Sequence, residues 1–164
     1  AYFEEAFNRY HHGNADTAPP ANAPMFTTPS GRKVAGGGGI YPDLLVQDDS
    51  TFYPSSLSRL YMEGSFTRIA YRYYLTHRQA LRKYPDARSF VNEFGIPATD
   101  RDMIKREALA DSVNIDTLSP AAYAILNERL KASLARQLWR NEGYFRSINQ
   151  KDPLIMKALE FLRP

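Results

Sequence analysis

Beyond residue 50 apolar side chains recur at helical spacing, and the clearest run is 65–84, where Phe66, Ile69, Ala70, Tyr73, His77, Ala80, Leu81 and Tyr84 share one stripe. Arg68, Arg72, Arg78 and Arg82 share the opposite side, with Tyr71 and Leu75 among them. A second long helix is predicted over 119–141. Ser119-Pro120 supplies the N-cap and first helical residue, Tyr123, Leu126, Leu130, Leu134 and Leu138 form the core stripe, and Gly143 stands beyond the end. Ile125, Ala132 and Trp139 recur every seven residues on another side of it, a ridge expected to meet a second copy or a body outside this chain.

Shorter helices fill the rest. Ser55 or Ser56 is placed to cap one carrying Leu57, Leu60 and Tyr61, which Gly64 separates from the first long helix. Asp86, following Pro85, caps a short piece through Phe90, Val91 and Phe94. Thr99 and Asp102 resemble a capping box ahead of Met103, Ile104 and Leu109, and 111–116 reads as the loop that ends this helix. Asp152-Pro153 opens a last one with Leu154, Ile155, Ala158, Leu159 and Leu162. The two long stripes predict one bundle, and the fold class is mainly α, a bundle of about five to seven helices with a short β/turn segment near the N-terminus.

The first fifty residues have a different texture. Phe3, Ala6, Phe7 and Tyr10 make a short amphipathic helix up to Gly13, and 14–24 is a Pro-rich, solvated connection. In 26–46, Val34, Ile40, Leu44, Leu45 and Val46 are β-prone pieces set among Gly31 and Gly36 to Gly39, so the segment reads as turn-rich β structure. The division is therefore 1–50 and 51–164, the second being the helical domain.

Within that segment, Thr28-Pro29-Ser30-Gly31-Arg32-Lys33-Val34, the glycines, then Gly39-Ile40-Tyr41-Pro42-Asp43 with Val46 closing it, resemble the last conserved block of carboxyl-terminal processing, or tail-specific, serine proteases. In that family the block closes the protease core just after the catalytic Ser and Lys. The resemblance implies that 1–50 is the end of a protease core and 51–164 a helical extension. It further implies a secreted, periplasmic or envelope parent peptidase whose Ser and Lys lie upstream, with a peptide or protein substrate. The same polypeptide's upstream core is the expected partner, and a homo-oligomer stays open. This segment by itself is expected to be inactive. The opening AYFEEAFNRY, which starts inside a helical pattern without Met, fits an excised piece.

Composition narrows the chemistry. The chain has no cysteine, so disulfides, thiolate metal sites and a Cys nucleophile are excluded. The net charge of +3 is uneven: residues 1–50 hold three basic and six acidic side chains, the remainder eighteen and twelve. The alternative function this leaves is a stand-alone helical module that presents the Arg68–Arg82 face to an anionic partner. No Gly/aromatic RNA motif or lysine run accompanies that face, which argues against nucleic acid.

His11 and His12 are adjacent, and His77 is the only other histidine, too few for a metal site. Four glycines after Arg32-Lys33 lack the Gly-Lys-Ser/Thr ending of a phosphate loop. Ser30 has no neighbouring base, Asp48 and Asp49 read as loop charges, and Lys33, Lys83, Lys105, Lys131, Lys151 and Lys157 all fall in polar settings. Catalytic, cofactor and metal residues are accordingly expected to be none, and no stretch reads as a membrane span.

Overall fold

The structure, a computed structural model, describes residues 22–36 and 54–163. The chain divides into two units, Ala1–Gln47 and Asp48–Pro164. The expected helix up to Gly13, His11 and His12, the pieces from Ile40 to Val46, and Asp48 and Asp49 lie outside the described residues.

In the first unit, β1 (Met25–Thr27) and β2 (Lys33–Ala35) pair antiparallel with Phe26 opposite Val34. Pro29 suits the first corner of a type I turn, and Gly31 takes the left-handed conformation, φ +83°, that must follow it. The Gly31 N–H donates to Thr28 O at 2.9 Å and the Thr28 N–H to Arg32 O at 2.8 Å, which makes a three-residue hairpin loop. Met25 and Phe26 are 56% and 58% exposed.

Among the described residues of the second unit, every regular element is helical. A 3₁₀ turn at Ser55–Leu57 leads into α1 (Ser58–Met62), and Gly64, with φ +66°, turns the chain into α2 (Ser65–Leu81). Then come α3 (Ala87–Glu93), α4 (Arg101–Leu109), α5 (Pro120–Asn149) and α6 (Pro153–Leu162). Three caps form as their sequence demands. Asp86 accepts from the Ser89 N–H at 2.7 Å, Ser119 Oγ from the Ala122 N–H at 3.2 Å, and Asp152 from the Leu154 N–H at 2.9 Å.

Two expected caps do not form, because 3₁₀ turns precede both helices and set their entry. Ser58 Oγ instead donates back to Ser55 O at 2.7 Å, and Thr99 lies inside the Ala98–Asp100 turn without a capping bond. The end of α4 is a Schellman motif. Val113 N–H donates to Ala108 O at 3.0 Å and Ser112 N–H to Leu109 O at 2.9 Å, with Ser112 at φ +60° where glycine is the usual choice.

The long helices α2 and α5 pack on each other and divide the core into two clusters. Leu57, Leu60, Ile69, Ile104, Ile115 and Leu126 anchor one. Tyr73, Phe90, Val91, Phe94 and Leu134 anchor the other, where Phe90 stacks on Phe94 at 4.5 Å and meets Trp139 at 5.2 Å. The ridge of Ile125, Ala132 and Trp139 already has packing partners within the unit. Ala132 is fully buried, Ile125 packs on the first cluster and Trp139 on the second.

Helix α5 also differs from its expected end. The helical path breaks at Trp139 (φ −129°, ψ 22°) and Arg140 (φ 53°, ψ −138°), then resumes. Gly143 lies inside the resumed helix, against the carbonyl of Ala135, so its missing side chain permits a close approach instead of marking a stop. None of the apolar positions read for α6 is buried: Ile155 is half-buried, Ala158 is exposed, and Leu154, Leu159 and Leu162, like Met156 and Phe161 beside them, stand about half exposed or more.

Candidate functional site

The hairpin turn is self-satisfied. Thr28 Oγ1 lies 3.0 Å from Ser30 Oγ and accepts the Arg32 N–H at 3.1 Å, so Ser30 works within the turn. Gly36 continues the ladder by donating its N–H to Pro24 O at 2.7 Å, with the Phe26 ring lying over its Cα. Gly37 to Gly39 lie outside the described residues.

On α2, half of the arginine face is committed internally. Arg68 forks onto Asp111, Nη2 to Oδ2 at 2.6 Å and Nη1 to Oδ1 at 3.4 Å, and also donates to Glu107 O at 3.1 Å. Arg72 Nε reaches Glu107 at 3.3 Å. The fully buried Ser65 donates its hydroxyl to Asp111. This knot joins the first turns of α2 to the end of α4. The Arg68 bond first, and then the Ser65 bond, hold the Asp111 carboxyl below the usual carboxylate range, while Arg68 is raised in return. Arg78 and Arg82 are left to carry the charge of that face, beside Tyr71 and Leu75, which are 50% and 51% exposed.

His77 belongs to a second cluster. Its ring stacks on Tyr73 at 4.1 Å, Nδ1 lies 3.1 Å from Tyr73 O, and Nε2 stands 3.5 Å from Asp100 Oδ1. Tyr73 donates its hydroxyl to Asp100 Oδ2 at 2.8 Å, and burial, reinforced by that carboxylate, raises the phenol far above its ordinary value. These groups edge a cleft of about 280 Å³ that also takes in Lys83, Tyr84 and Thr99. Since Asp100 already accepts from Tyr73 and faces His77, the cluster ties α2 to the Ala98–Asp100 turn. Among the described residues no group of three or more His, Asp or Glu is placed to hold a metal ion.

Lys131 departs from its expected polar setting. Burial first, and then the charge of Lys151, depress its ammonium below the ordinary lysine value. The sequence conceals this because Lys131 sits between Leu130 and Ala132, both buried, and shares their shelter only once α5 is packed.

A cleft of about 350 Å³ opens where the α1–α2 corner faces α5. Tyr61, Gly64 and Thr67 line one side; Arg129, Ser133 and Arg136 come from successive turns of α5, and Tyr144 from beyond its break. Arg129 lies 6.0 Å over the Tyr61 ring and Arg136 5.2 Å over Tyr144. Neither arginine was singled out from the sequence. Their only signal there is that 129, 133 and 136 fall on one helical face.

Compared with known protein families, residues 56–141 match DUF8443, a family of unknown function. No curated protein and no solved structure matches the chain. Among the described residues no helix is long and apolar enough to cross a membrane.

Proposed function

The chain belongs to this family of unknown function, and we propose that it is the carboxyl-terminal region of a secreted or periplasmic tail-specific serine peptidase. In this reading 1–50 completes the peptidase core and the helical unit is a structural or regulatory extension. The observation that carries it is the Thr28–Arg32 hairpin. The resemblance calls for a small-residue-Gly-Arg turn, and here Ser30-Gly31-Arg32 forms one around a left-handed glycine.

A two-stranded hairpin with Met25 and Phe26 this exposed is marginal by itself, which suits an edge awaiting further strands. The apolar, uncovered α6 similarly suits contact with the remainder of the polypeptide. Arg68 and Arg72, spent on Glu107 and Asp111, weaken the alternative of a basic docking face.

The test extends the chain upstream into its coding sequence. The longer protein is expected to cleave an unfolded peptide with an apolar carboxyl terminus, using a Ser and Lys encoded there, whereas the 164-residue chain leaves it intact. Serine-dependent turnover by the 164-residue chain, or no turnover by the longer one, would overturn the proposal.

A further inference from the structure

The cleft between the α1–α2 corner and α5 has a polar lining made only of groups that can donate hydrogen bonds. Arg129 and Arg136 bring guanidiniums, Tyr61, Thr67, Ser133 and Tyr144 bring hydroxyls, and none of its lining residues is acidic. Its volume, about 350 Å³, is that of a small-molecule site.

Arg136 is the informative member. Its guanidinium carbon rests 5.2 Å from the centre of the Tyr144 ring, and no ion pair joins it to a carboxylate among the described residues. A guanidinium beside an aromatic ring and without a paired carboxylate has N–H donors to offer a second partner, and the partner its fork matches is a carboxylate or a phosphate. Ser133, one turn earlier on the same helix, and Thr67 across the cleft present hydroxyls that make no hydrogen bond within the described residues. The rings of Tyr61, Phe66 and Tyr144 supply apolar walls, with Tyr61 and Phe66 packed at 4.8 Å.

We propose that this cleft binds a small organic oxyanion, its charged end on the Arg136 fork with Ser133 and Thr67 as further donors, and its apolar body against the tyrosine rings. The shared chemistry is the oxyanion, carried by either a carboxylic acid or a phosphate ester.

Titration calorimetry on the 164-residue chain with benzoate and with phenyl phosphate tests it and separates the two sources. Saturable binding of at least one, with Kd of about 1 mM or tighter, is expected, as is none of the neutral benzamide. Arg136→Gln should weaken the anion about ten-fold or more, because a charge-assisted bond is lost, and should lower Tm by no more than about 4 °C because Arg136 is exposed and its contact with Tyr144 is worth about 0.5–1 kcal/mol. Ser133→Ala should weaken it by a smaller factor. Equal binding of benzamide, undiminished binding by Arg136→Gln, or no saturation by either anion would overturn the proposal.

Discussion

Gly143→Ala separates two opposite expectations for one methyl group. Inside a solvated helix the change gains about 1 kcal/mol, because alanine loses less backbone freedom than glycine and is the better helix former. At Gly143 the added Cβ would lie 2.4 Å from Ala135 O, 2.9 Å from Ala135 C and 3.1 Å from Trp139 Cβ. Ordinary carbon contacts begin near 3.5 Å, so the resumed helix would have to retreat by roughly 1 Å. It abuts the backbone of a close-packed helix, not the end of a flexible side chain, and so has little room to do so.

Overpacking of this kind costs about 1–3 kcal/mol, and more where the backbone must move. After the propensity gain, a net loss of up to about 2 kcal/mol is expected, or a Tm lower by up to ~8 °C for a unit of this size. Calorimetric or circular-dichroism melts read the effect. Gly95→Ala is the control: a Cβ there meets nothing within 4 Å, so a shift near zero or slightly upward is expected. A Gly143→Ala protein that melts at or above the wild type would refute the close approach, and with it the folding back of residues 141–149.

Other expectations follow from the same geometry. Arg140→Gly should raise stability by about 1 kcal/mol in thermal melts, since a side chain at φ 53°, ψ −138° is strained where glycine is not. Leu130→Ala, on α5 within the first cluster and 2% exposed, should cost about 2–5 kcal/mol by urea denaturation. The Asp111 carboxyl is depressed in the folded state, so its contribution is complete above the unfolded carboxylate pKa and is lost as pH falls through the folded value. Asp111→Asn should therefore lower Tm at neutral pH and flatten the acid limb of a Tm-against-pH curve. Tyr73→Phe, which removes the donor to Asp100, should cost about 0.5–1.5 kcal/mol in the same denaturation assay.

How much of this was readable in advance depends on the range of the interaction. Asp86, Ser119-Pro120 and Asp152-Pro153 act on backbone two or three residues away, and they form as the sequence indicates. The α2 stripe held for Phe66, Ile69, Tyr73 and Leu81 because a period of 3.6 survives any choice of neighbour.

The Asp111 knot spans 43 residues from Arg68 and has no local signature. Nothing in Trp139-Arg140 signals a break, as neither residue is proline or glycine. The contact with Ala135 and the packing of Trp139 on Phe90 go with that break, and both are tertiary. The α6 stripe was legible as amphipathic but not as uncovered, since periodicity shows which face is apolar and not whether anything lies against it. The Arg129–Arg136 cleft needed the α1–α2 corner brought opposite α5 before its donors faced one space.

Helix α6 is ten residues long with none buried, shorter than an isolated helix needs to persist in water. The described contacts around it gather at its start: the local Asp152 cap and, just before the helix, the Gln150 amide on Asn92 at 2.9 Å and the Lys151–Glu128 pair. In native-state hydrogen exchange its amides should therefore open by fraying, far faster than those of α2 and of α5 before its break, which open only with the whole unit. That contrast makes α6 an internal gauge. When another surface covers Leu154, Leu159 and Leu162, protection should rise in this helix first, so exchange there reports engagement without knowledge of the partner.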